Sequence, residues 1–273
     1  MILKSFLPFL RVPEGRTYVF IVGCYDSGTT LLDHILGCHE EISNLPTEGV
    51  VLTSQLSRPE DFGWPRLWYK CADCVRLDEM DTELDVKRLK KEWGFWFDKK
   101  KPLFLEKSIA NSARIRWLNK NFDQPYFISI IRNGYCVAEG IRRRSRQAKV
   151  KAFKFRESGY PIKWCADQWV VNNDVIEEET RDIERVMKIT YEDLTDNLEE
   201  TIRVILQWLP LKNKDVPRVG NFTFRGESGA VRNMNEQSIA RLSLQDVKEI
   251  NEVAGAHLKK WGYPLLGEDR NSK

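Results

Sequence analysis

Long apolar runs, histidine, paired cysteine motifs and an excess of one charge sign are all scarce in this 273-residue sequence. No apolar run reaches the roughly 18 residues that a spanning helix needs, so no integral membrane contact is expected. The opening MILKSFLPFLRVPEG is interrupted by Lys4 and Pro8 and has no small-residue cleavage site. That favours an ordinary N-terminal segment over a signal peptide. Only three histidines occur, and six cysteines stand at 24, 38, 71, 74, 136 and 165. Cys71-Ala-Asp-Cys74 alone has suggestive spacing, but a structural zinc site needs four ligands and no second CxxC or paired His motif exists. Unreactive thiols are the first reading of that pair, a disulfide or redox dithiol the second and a metal the last. A reduced, cytoplasmic protein without a metal is expected, and the lone sequon Asn221-Phe222-Thr223 carries little weight against it. No repeat, low-complexity tract or linker divides the chain, so residues 1–273 are expected to form one domain. With 42% hydrophobic and 30% charged residues, disorder, a collagen-like repeat and a disulfide-stapled miniprotein are excluded.

Four short apolar runs stand out: Tyr18–Gly23, Leu103–Glu106, Tyr126–Arg132 and Arg185–Tyr191. They are continuous rather than alternating, as strands buried on both faces are. Helical patterns lie between them, at Thr29–Cys38, Ile109–Phe122, the segment after Arg132, Trp164–Thr180 and Asp196–Leu209. A last helix is predicted to start at a Ser243/Asp246 capping box and to end before Gly262. Alternating strands and helices predict a three-layer α/β sandwich around a central, mainly parallel sheet. Residues 49–102 fit the alternation poorly and read as an insert. Its Trp64, Trp68, Trp93 and Trp96 either line an acceptor site or simply pack the insert onto the body.

The sharpest feature is Gly23-Cys-Tyr-Asp-Ser-Gly28-Thr29-Thr30, directly after an apolar strand and opening an amphipathic helix. Backbone N–H groups of such a loop converge on an anion, and the helix N-terminus and the hydroxyls of Ser27, Thr29 and Thr30 add donors. The spacing is that of a Walker A loop, GxxxxGK[ST], with Thr29 where the lysine should stand. An NTPase uses that lysine on the β- and γ-phosphates, so its loss argues against a P-loop nucleotide kinase or NTPase. A turn with no ligand is the bland alternative.

SGTTLL after a strand resembles the 5′-phosphosulfate loop of sulfotransferases that use 3′-phosphoadenosine 5′-phosphosulfate (PAPS). Four further segments resemble that family, in its order along the chain: Glu106-Lys107-Ser108, Ile130-Ile-Arg132-Asn-Gly-Tyr-Cys-Val-Ala138, Tyr191-Glu-Asp-Leu194 and Trp261-Gly-Tyr263. The resemblance implies a P-loop NTPase-like fold and PAPS as donor, with the desulfated nucleotide PAP as product. It implies that Ser27, Gly28, Thr29 and Thr30 hold the phosphosulfate and Arg132 the 3′-phosphate. Tyr191 would lie near the adenine, and Arg225-Gly226 and Arg232 resemble a basic loop over the 3′-phosphate. Lys107 becomes the candidate charge facing the sulfuryl group. Glu48, in the stretch His39-Glu-Glu-Ile-Ser-Asn-Leu-Pro-Thr-Glu48, becomes the candidate general base, against a solvated loop carboxylate. His39 is expected to anchor the end of the loop helix.

Two positions depart from the pattern. Gly140 stands where the family usually has a Ser that shares the 3′-phosphate, and Asp26 stands where it has Lys or Arg. An acidic group facing a polyanion would be repulsive, so Asp26 is expected to turn away or pair with a base. These departures keep open a catalytically impaired nucleotide-binding relative. The charges are also unevenly placed: Arg142–Arg156 holds eight basic residues and no acid, whereas Asp174–Glu184 holds six acids and one Arg. The basic run reads as a solvated helix face or as anion steering. It stands alone without a nucleic-acid motif, so no nucleic acid is expected. The acceptor would carry a hydroxyl or an amine, with carbohydrate or peptide tyrosine favoured because SGTTLL differs from the SGTTW of many aryl sulfotransferases. Nothing in the sequence fixes an oligomeric state.

Overall fold

A computed structural model describes residues 11–147, 155, 157–217, 222–224, 227–229 and 231–267. Arg225, Asn221, the first ten residues and much of the basic run (148–154 and 156) lie outside the described residues.

The elements that position the site are β1 (Thr17–Gly23), α1 (Thr29–Gly37), β2 (Ile42–Asn44), α2 (Val86–Gly94), β3 (Leu103–Lys107), α3 (Ile115–Asn121), β4 (Tyr126–Ile131), α4 (Gly134–Ser145), α5 (Ile162–Glu179), β5 (Val186–Thr190), α6 (Tyr191–Asp196), α7 (Leu198–Trp208), β6 (Phe222–Phe224), β7 (Glu227–Gly229) and α8 (Leu244–Lys260). Five strands form one sheet in the order β2-β3-β1-β4-β5. Every pairing within it is parallel, so the expectation of a mainly parallel sheet tightens to a wholly parallel one. The antiparallel pair β6–β7 forms a separate two-stranded ribbon.

The apolar run of β1 explains its central place. Val19 and Ile21 pack with Leu32, Ile35 and Leu36 of α1 and Ile202, Ile205 and Leu206 of α7. Tyr18, Phe20 and Val22 point the other way, into Trp93, Phe104, Trp117 and Phe122. Successive side chains of a strand face opposite layers, so a strand covered on both sides must be apolar throughout. Burying Phe20 or Ile21, both fully inaccessible, is worth about 1.5–3 kcal/mol each. A third cluster joins α4, α5 and α8 through Tyr135, Ile141, Trp169, Ile250, Ala254 and Leu258. The result is a three-layer α/β sandwich.

The helix expected over Ile109–Phe122 breaks into a 3₁₀ turn at Ile109–Ala113 followed by α3. The turn spends its polar side chains inward: Asn111 donates to Glu106 (2.7 Å), and the Ser112 hydroxyl accepts from the Gly23 amide (3.0 Å). At α8 the capping box forms as expected, with Ser243 and Asp246 each accepting from the other's amide, and Gly262 takes the left-handed conformation. In the insert, Trp68 and Trp93 are fully buried and donate to Asn172 and the Gly49 carbonyl, each at 2.9 Å. Those two tryptophans pack the insert onto the body, whereas Trp96 is exposed. All six cysteines are free, and burial pushes the Cys71 thiol up to about 11, which fits an unreactive thiol. Among the described residues no helix is long and apolar enough to cross a membrane.

Candidate active site

A parallel sheet brings the carboxyl ends of all its strands to one edge. Along that edge the strand order sets out the expected site residues in a row. Glu48 follows β2, Lys107 ends β3, the glycine-bounded loop follows β1, Arg132 follows β4 and Tyr191 follows β5. Ile21 pairs with Lys107 and Gly23 with Ile130, so the loop leaves β1 between Lys107 and Arg132. Adjacent strands lie about 4.8 Å apart, which puts the backbones of Lys107 and Arg132 roughly two strand spacings from each other.

The loop's glycines are required by close approach. A Cβ on Gly23 would stand 2.5 Å from the Ile130 carbonyl oxygen. Gly28 has φ +94° and faces the Tyr191 ring, where a Cβ would come within 2.6 Å. Gly28 also caps α1 without a side chain, and no acidic residue occupies the first turn of α1. The unpaired amides of that turn therefore face the loop with the positive end of the helix dipole. Ser27 is wholly buried, and its hydroxyl finds no partner among the described residues. Thr29 is buried and Thr30 half-buried at the start of α1.

On the β4 side, Arg132 is 7% exposed. It donates through Nη1 to the Asp26 carbonyl (2.7 Å) and through Nε to Asn235 Oδ1 (2.8 Å). Its guanidinium lies 4.0 Å from the Tyr191 ring centroid, a cation–π contact. The remaining nitrogen, Nη2, is buried without a partner. The Tyr191 hydroxyl accepts from the Met234 amide (3.2 Å) and donates to the Arg232 carbonyl (3.4 Å). Arg232 thus joins the site through its backbone. Glu192 accepts from Asn235 Nδ2 (2.6 Å), the Asn133 amide (3.2 Å) and the Tyr263 hydroxyl (3.1 Å). One carboxylate therefore ties together four separated segments: the turn after β4, its own Tyr191-Glu-Asp-Leu194 motif, the segment at Asn235 and Trp261-Gly-Tyr263.

Asp26 is resolved by its partners. Its carboxylate, 3% exposed, bonds Arg66 of the insert and pairs with Arg144 of α4 at 2.8 Å. Burial alone would push this carboxyl up; Arg66, Arg144 and Arg132 together outweigh it and hold the carboxyl below its ordinary value. The space is opened by Gly140, where a Cβ would stand 2.8 Å from Asp26 Cγ. The two departures from the expected pattern are thus coupled locally, because a Cβ at 140 would crowd the Asp26 side chain.

On the β3 side, Lys107 Nζ meets Glu48 Oε1 at 2.9 Å, with the Lys side chain 10% and the Glu side chain 33% exposed. The backbone after Glu48 is held by Glu106, which is fully buried and accepts from the Gly49 amide (2.9 Å), Asn111 and the Ser108 hydroxyl. Burial drives the Glu106 carboxyl up to about 7 despite these donors. Asp33 of α1 accepts from Asn44 Nδ2 (3.3 Å); burial pushes it up to about 6 against the pull of Lys107 and Asn44. His39 is buried, and its Nδ1 accepts from the Glu41 amide (3.1 Å), fixing the turn between α1 and β2.

Arg66, Asp33 and Asn235 carry no motif signal in the sequence, and Glu106 lies in the Glu106-Lys107-Ser108 segment without a role of its own being read there. Arg144 was hidden in the basic run, whose described part is engaged in fixed contacts. Arg142 makes two bonds to Asp246 (2.6 and 2.8 Å), and Arg143 bonds Glu139 (2.8 Å). In the acidic run, Glu179 is a buried acceptor for the amides of Ile115 and Arg116 at the start of α3, not part of a solvated face.

No curated protein sequence matches this chain. The model of the sulfotransferase family matches residues 19–215, which takes in the loop, Lys107, Arg132 and Tyr191. Among solved structures, the sulfotransferase domain from the curacin biosynthetic pathway superposes with a TM-score of 0.53 at 17% identity, covering 92% of this chain and 99% of that one. A sulfotransferase from Alicyclobacillus acidocaldarius gives 0.51 at 16% identity, over 90% and 98% of the two chains. A mouse sulfotransferase complexed with PAP gives 0.51 at 13% identity, over 93% and 88%.

Proposed function

The chain belongs to the sulfotransferase family and is an enzyme of sulfuryl transfer; from that premise we propose that its donor is PAPS, laid along the carboxyl edge of the sheet, and that PAP is released. The observation that carries this reading is the pair of anion-binding groups at the ends of the neighbouring strands β1 and β4: the loop amides with the unpartnered Ser27 hydroxyl, and Arg132 with its unpartnered Nη2. A donor with a phosphosulfate at one end of an adenosine and a phosphate on its ribose needs two such groups. A nucleoside triphosphate would need the lysine that Thr29 replaces. The mouse relative's complex with PAP supports the same donor.

In this reading Ser27, Gly28, Thr29 and Thr30 hold the 5′-phosphosulfate, Arg132 takes the 3′-phosphate and Tyr191 lines the nucleotide beside Gly28. Sulfuryl transfer asks for in-line positioning and neutralisation of charge growing on the leaving phosphate. Lys107 supplies that charge. Glu48 takes the acceptor's proton as the new oxygen–sulfur (or nitrogen–sulfur) bond forms and the bond from sulfur to the 5′-phosphate oxygen breaks. The Lys107–Glu48 pair holds both groups at one place before reaction. The acceptor carries a hydroxyl or an amine, with carbohydrate and peptide tyrosine the first classes to try. We assign the chain to the cytoplasm as one domain, with residues 49–102 flanking the acceptor side.

The test is a screen with PAPS labelled in its sulfuryl group across sugars, tyrosyl peptides and small alcohols. We expect label transfer and stoichiometric PAP release with one acceptor class. Failure of every class, together with no binding of PAP, would overturn the reading.

A further inference from the structure

Asp26 and Arg66 share an unusual property. Among the described residues only Asp26 (φ 61°), Arg66 (φ 68°) and Gln124 are non-glycine residues at positive φ. Such backbone is unfavourable for a residue with a Cβ and persists only where the surroundings over-determine it. Here two strained residues far apart in the chain are each other's ion-pair partners. A glycine inside α4 is a further local cost relative to alanine, and Gly140 is the residue that makes room for the Asp26 side chain. Three local costs therefore converge on placing one carboxylate among Arg66, Arg144 and Arg132.

That carboxylate does not satisfy the cluster. Arg66 Nε and Arg132 Nη2 are both buried without a partner. Buried donors of this kind are rarely left unpaired, and Arg132 is more than nine-tenths buried. The unused donors are the kind that a tetrahedral, multiply charged oxyanion accepts from best.

We propose that Arg66 and Arg144 belong with Arg132 to the site of the donor's second phosphate, and that Asp26 is a built-in counter-anion which pre-orders these arginines and competes with the phosphate for them. This rests on the donor assignment above and adds to it the residues that set affinity. Arg66 brings the insert into the donor site, so donor binding and the placement of residues 49–102 are coupled through one guanidinium. In place of a cation on the loop itself, the chain has an anion on the loop and cations delivered to it from the insert and α4.

The test is calorimetric titration of the full chain with PAP and with AMP, which lacks the 3′-phosphate. Asp26→Asn keeps the shape and removes the charge, and we expect it to bind PAP about tenfold or more tightly than the wild type, because a fixed charge close to the phosphate is lost. AMP affinity should change far less. Arg66→Gln should weaken PAP about tenfold and leave AMP nearly unchanged, so the ratio of the two affinities falls. A purely structural role for the cluster would move both ligands alike. Should Asp26→Asn melt too low to titrate, Arg66→Gln decides by the ratio. Wild-type binding of PAP with no tightening in a folded Asp26→Asn, or an unchanged PAP-to-AMP ratio in Arg66→Gln, would overturn the proposal while leaving the donor assignment standing. No PAP binding by any of the proteins would overturn both.

Discussion

The two flanks of the glycine-bounded loop after β1 are built on different electrostatic plans. On the β3 flank one ammonium meets one carboxylate, Lys107 with Glu48, and the carboxylate is a third exposed. On the β4 flank the single carboxylate of Asp26 is enclosed by Arg66 and Arg144, and Arg132 bonds its backbone. The buried acids behave accordingly. Asp33 and Glu106, on the β3 flank, are pushed up by burial, whereas burial of Asp26 is outweighed by arginines and its carboxyl is held down. A matched, partly open pair suits groups that must exchange a proton and move. An enclosed cluster with unused donors suits the fixed recognition of an anion. In the proposed reading, one edge of one sheet thus separates reaction from binding by the strand on which each residue rides.

Mutations on the two flanks should break this contrast in different observables. The largest effect is expected from Glu48→Gln, which removes the proton acceptor and should lower turnover by roughly 10²–10⁴-fold. PAP affinity should stay within about twofold, and steady-state rates beside PAP titration check both. Equal losses in turnover and affinity would move Glu48 from reaction to binding. A smaller effect is expected from Gly140→Ser on the other flank. It forces a Cβ against Asp26 Cγ and should lower stability by about 1–3 kcal/mol through overpacking. Asp26→Gly alone leaves Arg66 and Arg144 without their counter-anion and should itself destabilise, but it should cost less in the Gly140→Ser background, where it also clears the clash. Thermal or denaturant unfolding of the four proteins gives the coupling directly; additive losses would show that residues 26 and 140 are independent.

The sequence is most readable where a residue directly follows a strand. Tyr18–Gly23, Leu103–Glu106, Tyr126–Arg132 and Arg185–Tyr191 are apolar enough to mark β1, β3, β4 and β5, and their ends place the loop, Lys107, Arg132 and Tyr191. The edge strand β2 is three residues long, with a Ser and an Asn, and leaves no periodic signal. Ile109–Phe122 reads as one helix because its apolar spacing is helical, but Asn111 and Ser112 are drawn to buried partners and break it. Asp26 stands out as a misfit in the sequence, yet its resolution does not, because Arg66 comes from an aperiodic insert and reaches it only through left-handed backbone. Arg144 is indistinguishable in sequence from the arginines beside it, which pair elsewhere. Long-range ion pairs of this kind leave no local pattern to read.

The central claim is that the carboxyl edge of this sheet holds a nucleotide with anionic groups at the ends of β1 and β4. Calorimetric titration of the wild-type chain with PAP and, separately, with Mg-ATP tests it most directly. The account predicts micromolar binding of PAP and none of ATP. Binding of ATP with no binding of PAP would contradict it.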